Sequence, residues 1–210
     1  MMSWLFLSIL TPFSFILYPL KVVGKKFVKR LKKQATLYSC NHQSNADPII
    51  LKTRVNWGAK LMAKDSLFNK GVKKWFFTTL GAYPVNRGGN DIESVKNTLK
   101  LLKNNKNIVV FPEGTRVKDG DSVEFKNGFV FFALKSDCMV VPMVFRKKPK
   151  LFAINKLVVG EPFRFSDIPE FNGVKPTKEV LNRASEVLTE KMNYLKEVDL
   201  KEYKKMIKEK

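Results

Sequence analysis

Histidine occurs once in the 210 residues, and cysteine twice. One imidazole and two thiols without CxxC spacing do not make a typical zinc site. Cys40 and Cys138 both lie in apolar surroundings, which points to a reducing compartment and no disulfide framework. Acidic residues are scarce, 19 against 39 basic, giving a net charge of +20. Residues 1–34 hold seven Lys/Arg and no acid, which leaves +13 on the rest of the chain. A field of that sign attracts nucleic acid, anionic lipid or phosphorylated substrates. There is no GxGxxG, no Walker lysine loop and no repeat. No RNP, helix-turn-helix or zinc-finger pattern supports nucleic acid as the partner. Apolar residues make up 44% of the chain, enough for the core of one domain.

The first 20 residues lack charge altogether, and fourteen of them are apolar, with Trp4, Phe6, Phe13, Phe15 and Tyr18 among them. No positive region or small-residue cleavage site marks a signal peptide. A span needs about 20 apolar residues, and Pro12 and Pro19 interrupt this run. Thr11-Pro12 reads as a second helix start, so a broken hairpin lying in an interface is expected. Over residues 20–33, Leu20, Val23, Phe27 and Leu31 fall on one helical side, opposite seven basic residues. An apolar stripe beside a basic face predicts a helix on an anionic membrane surface. The alternative is a solvated basic helix whose stripe packs on the protein's own core. Residues 1–34 are therefore expected to be a membrane-association segment, peripheral or monotopic, and 35–210 the folded domain.

The sole histidine lies in Asn41-His42-Gln43-Ser44-Asn45-Ala46-Asp47-Pro48. On a continuous helix, five residues turn the chain about 500°, so His42 and Asp47 would diverge. They meet only across a turn. Thr36–Cys40 reads as a buried strand, and Asp47-Pro48 as an N-cap with proline at the first helical position. An imidazole beside a carboxylate suits general-base chemistry near neutral pH. Alone, the spacing also fits a capping aspartate and an incidental histidine.

Strand-like runs at 59–63, 80–85, 107–112, 139–145 and 151–159 alternate with helical patterns. Asn90 and Glu93 read as a capping box, and Ile92, Val95, Leu99 and Leu102 as a core face. A second stripe, Leu181, Ala184, Leu188, Met192 and Leu195, follows Thr177. Phe129, Phe131 and Phe132 read as a helix whose rings serve the core or line an apolar tunnel. Residues 196–210 read as a solvated terminal helix. The whole predicts an α/β domain, a largely parallel mixed sheet flanked by helices.

The run Asn107–Phe111 ends in Pro112-Glu113-Gly114-Thr115-Arg116. Together, NHxxxxDP and FPEGTR resemble the 1-acylglycerol-3-phosphate acyltransferase family. Ala63-Lys64-Asp65-Ser66-Leu67, Gly81–Arg87 and Val140–Val144 resemble further blocks of that family, in family order. One departure is Tyr83-Pro84-Val85-Asn86, where many members carry an aromatic, an aliphatic and an aspartate before the arginine. The resemblance implies transfer of an acyl group from a thioester, carried by acyl carrier protein or coenzyme A, to the sn-2 hydroxyl of a lysophosphatidate on the cytoplasmic side of the cell membrane. It implies no cofactor. His42 would be the base and Asp47 its partner, while Lys64, Arg87, Glu113, Gly114, Thr115 and Arg116 would line the glycerophosphate site. Arg116 is the strongest phosphate candidate, since its guanidinium binds phosphate bidentately. Cys40 would share a strand face with His42 and offers an acyl-enzyme route. A lysophospholipid hydrolase and a non-catalytic basic protein remain the alternatives.

Overall fold

The computed structural model describes residues 2–31, 34–69, 71–86, 91–116 and 125–209, with all side chains except those of residues 2–7 and Arg30. Arg87 and Asn90 lie outside the described residues. The amino-terminal helix α1 (Met2–Leu17) leads into strand β1 (Leu20–Val23) and the short helix α2 (Lys25–Arg30). Then come β2 (Thr36–Cys40), α3 (Asp47–Arg54), β3 (Lys60–Lys64) and α4 (Gly71–Thr79). The order continues through β4 (Ala82–Val85), α5 (Ile92–Lys103), β5 (Asn107–Val110) and α6 (Gly128–Ser136). It ends with β6 (Met139–Phe145), β7 (Asn155–Val159), α7 (Lys178–Glu197) and α8 (Leu200–Glu209).

The seven strands form one sheet in the order β1-β7-β6-β2-β5-β3-β4. Every neighbouring pair is parallel except β6 with β7. β2 runs through the middle, and all five of its residues are buried, as a strand covered on both faces requires. The parallel strands β2, β3, β4, β5 and β6 end on one rim, where open α/β sheets bind ligands. α7 packs Ala184, Leu188, Met192 and Leu195 against the sheet, so that stripe is a core face.

Two expectations for the first 34 residues need correction. α1 is one helix that continues through Pro12, not a broken hairpin. Residues 20–33 are not one amphipathic helix. Leu20–Val23 is an edge strand, and Gly24 turns the chain at φ 83°. A Cβ on Gly24 would lie 2.3 Å from the Val159 carbonyl oxygen, so only glycine allows β7 to approach there. The stripe of Val23, Phe27 and Leu31 is 3–5% exposed and belongs to the core. The expected break at residue 34 therefore does not separate this segment from the sheet.

Three smaller readings also change. The cap of α5 is Asp91, whose Oδ1 accepts the Ser94 N–H at 2.9 Å. The carboxyl-terminal stretch is not fully solvated: Tyr203 and Ile207 are buried, and the Tyr203 hydroxyl donates to the Val159 carbonyl at 2.8 Å. The third concerns Asp47 and belongs to the site.

Candidate active site

β2 delivers His42 to the rim through a side-chain clamp. The Asn41 amide donates to the Phe145 carbonyl at 3.0 Å, and its oxygen accepts the Phe145 N–H at 2.7 Å. The side chain thus prolongs the β2–β6 ladder by one residue and sets the direction in which the chain leaves the sheet.

His42 then meets Asp47 across a turn, the one arrangement in which their spacing lets them meet. Nδ1 lies 2.9 Å from Asp47 Oδ2. The same oxygen accepts the N–H groups of Gln43 and Ser44, each at 2.7 Å. Asp47 is wholly buried and opens α3, but its side chain does not cap that helix. It turns back and organises the loop that carries the histidine. A carboxylate acceptor assigns the Nδ1 proton to His42, leaving Nε2 as the basic nitrogen. The ring stacks on Phe111, with centroids 4.2 Å apart, which restricts its rotation.

The second motif arrives on β5, the parallel neighbour of β2. Glu113 Oε2 accepts the His42 backbone N–H at 2.6 Å. Burial pushes Glu113 up to about 7 against the pull of the His42 N–H; Asp47 adds to the rise and Lys196 opposes it. Gly114 has φ +71°. A Cβ there would come within 2.9 Å of Lys126 Cε, so the Lys126 side chain lies across this glycine. Thr115 and Arg116 follow and are exposed. Lys64 ends β3 on the same rim and is exposed.

Lys126 and Lys196 were missed by the sequence reading. No motif marks them, and in a chain with 39 basic residues only tertiary proximity singles them out. Cys40 is fully buried, and burial, with the charges of Asp47 and Glu113, pushes its thiol well up. A buried, protonated thiol is a poor nucleophile.

Beside His42 opens a cavity of about 320 Å³. Phe111 and Gly114 stand on the site side, and Met62, Val95, Phe129 and Phe132 line its apolar walls. Among the described residues no group of three or more His, Cys, Asp or Glu side chains could hold a metal ion.

The fold and this chemistry define an α/β enzyme that places an oriented imidazole beside an apolar chamber, an arrangement suited to acyl transfer. Comparison with known proteins narrows the class. A family model described as Acyltransferase matches residues 19–146. A 1-acyl-sn-glycerol-3-phosphate acyltransferase of Bacillus subtilis is 30% identical over 170 residues, covering 75% of this chain and 79% of that protein. One from Cocos nucifera is 29% identical over 129 residues, covering 60% of this chain; the chain spans only 41% of that protein's length. The crystal structure of PlsC, the 1-acyl-sn-glycerophosphate acyltransferase of Thermotoga maritima, shares the fold. Its TM-score is 0.67 at 23% identity, over 94% of this chain and 82% of that one. The chain belongs to the acyltransferase family, in its 1-acyl-sn-glycerol-3-phosphate acyltransferase branch.

Proposed function

We propose that the protein transfers a fatty acyl group from a thioester to the sn-2 hydroxyl of 1-acylglycerol-3-phosphate, giving phosphatidic acid. The observation that carries this reading is the His42–Asp47 pair at 2.9 Å, held against the buried Glu113 of the second motif. His42 Nε2 removes the hydroxyl proton as the oxygen attacks the thioester carbonyl. The tetrahedral oxyanion collapses, the thiolate leaves, and the proton on Nε2 passes to it. Asp47 holds the ring tautomer and stabilises the imidazolium. Glu113 fixes the turn through the His42 backbone.

Arg116 clamps the acceptor's phosphate, with Lys64 and Arg87 as further cations and Lys126 as a neighbour across Gly114. Gly114 and Thr115 supply the close backbone approach. The apolar cavity beside Phe111 receives an acyl chain; its volume lies within the about 300–1,000 Å³ typical of ligand pockets. The acyl donor is acyl carrier protein or coenzyme A, both acidic and suited to a basic surface.

We also propose attachment to the cytoplasmic face of the cell membrane through the amino-terminal segment. Support comes from α1, where Ile9, Phe13 and Ile16 lie on one face and are 55–64% exposed. Among the described residues no helix is long and apolar enough to cross a membrane, so α1 is read as lying in the interface.

The test is purified protein with lysophosphatidate and each donor, lipid products separated. Diacyl phosphatidic acid is expected. Free fatty acid alone would make the protein a hydrolase, and no product from either donor would refute acyl transfer.

A further inference from the structure

The loop between β6 and β7 presents Leu151, Phe152 and Ile154 to solvent at 55%, 71% and 74% exposure. Three large apolar side chains at one exposed loop tip mark an interaction surface. The loop is also firmly constructed. Asn155 is buried; its Oδ1 accepts the Lys150 N–H at 2.8 Å, and its amide donates to the carbonyls of Lys150 and Ala153 at 3.1 and 2.9 Å. Phe152 adopts φ +55°, a backbone region that aromatic residues seldom enter. The bonds around it hold its ring outward.

This tip adjoins α1. The Phe152 N–H donates to the Leu17 carbonyl at 2.7 Å, and the Asn155 N–H to the Pro19 carbonyl at 2.8 Å. The exposed stripe of Ile9, Phe13 and Ile16 leads toward that junction. At the base of the loop is a groove of about 780 Å³ lined by six basic residues, Arg146, Lys147, Lys148, Lys150, Lys156 and Lys201, against the acids Glu197 and Asp199.

We infer that residues 146–154 form a second membrane-docking element, inserting Leu151, Phe152 and Ile154 into the interface while the basic groove holds anionic phospholipid headgroups. The inference rests on the reading of the protein as an enzyme of lipid surfaces and extends it beyond the amino-terminal segment. An apolar tip ringed by cations matches the two layers of an anionic leaflet, headgroup charge outside and acyl chains within. An acidic protein partner would account for the cations but not for an apolar tip continuous with α1. The placement also serves the site. The loop leaves β6 at Phe145, the residue clamped by Asn41 beside His42. Docking there brings the catalytic rim to the surface from which a lipid acceptor enters.

The experiment needs no turnover, so it is independent of whether acyl transfer is the reaction. Ile154→Cys in the full chain is labelled with a polarity-sensitive fluorophore; Cys40 and Cys138 are buried and do not compete. Vesicles of phosphatidylglycerol should blue-shift the label, and a quencher embedded in the acyl region should dim it. Phosphatidylcholine vesicles should do so far less. L151S/I154S should lower affinity for the anionic vesicles by about tenfold or more, with an unchanged unfolding transition. K147E/K148E should remove the preference for anionic lipid. Co-sedimentation without any change at the label would overturn the inference while leaving the α1 anchor standing. A label that responds to an acidic carrier protein and not to vesicles would overturn the lipid assignment. Absence of both sedimentation and label change would overturn both membrane elements.

Discussion

Glu113 Oε2 accepts the backbone N–H of His42 at 2.6 Å, joining two motifs that lie 71 residues apart. The bond is made possible by the parallel pairing of β2 with β5, which ends both strands side by side. Glu113 therefore acts on the histidine through its backbone, while Asp47 acts on the ring. Each motif is incomplete without the other.

His42→Ala should lower turnover by about 10²–10⁴-fold, the usual contribution of a positioned base, while melting close to the parent. Asp47→Asn should slow turnover less. It should also melt earlier, because the buried Oδ2 serves two backbone N–H groups as well as the imidazole. Single-turnover rates and thermal melts on the same preparations separate the two effects. Near-parental turnover in the histidine variant would end the general-base proposal.

Glu113→Gln should flatten the dependence of stability on pH. A carboxyl raised to about 7 in the fold holds a proton that the unfolded chain releases near its ordinary value of 4.5. Between those values the native state binds more protons, so stability falls as pH rises and is lowest once Glu113 ionises. Denaturant melts of parent and variant at pH 5 and pH 8 measure this: the difference in stability between the two pH values should be smaller in the variant.

Cys40→Ser should keep most of the activity. The thiol is enclosed and held protonated, so it is expected to take no part in the transfer. Mass spectrometry of the enzyme mixed with donor alone provides the check. An acylated parent protein whose adduct vanishes in the variant would restore the thiol route.

Arg116→Lys should raise the KM for lysophosphatidate more than that for the thioester, since charge persists but the planar fork is lost. A dephosphorylated acceptor supplies the control. Equal loss on both acceptors would remove Arg116 as the phosphate clamp.

Two truncations should behave differently. Removing residues 1–18 takes away α1 and should leave a folded domain with weaker vesicle binding. Removing 1–34 also deletes β1 and the buried Val23, Phe27, Val28 and Leu31. Those four side chains contribute about 1.5–3 kcal/mol each, comparable with the roughly 5–15 kcal/mol that stabilises a whole domain. The longer truncation should therefore fail to fold. Circular dichroism and vesicle co-sedimentation on both truncated chains decide the matter.

The sequence by itself determined the layered α/β class and the positions of the inner strands, and it required a turn if His42 and Asp47 were to meet. These are local properties: apolar runs bounded by turns, helical periodicity, and a spacing that only a turn can close. The two motifs also disclosed the family, because their residue types recur in fixed order. Only the tertiary structure decided what Val23, Phe27 and Leu31 cover. An apolar stripe has the same period whether it faces lipid or its own core, and Gly24 breaks the helix because β7 passes too close for a Cβ. The same holds for Asp47, which reads as a helix cap yet turns its carboxylate back to His42, Gln43 and Ser44. Lys126 across Gly114, Lys196 near Glu113 and the Asn41 clamp on Phe145 are long-range contacts. No periodicity encodes them, since they arise only when parallel strands bring distant loops to one rim.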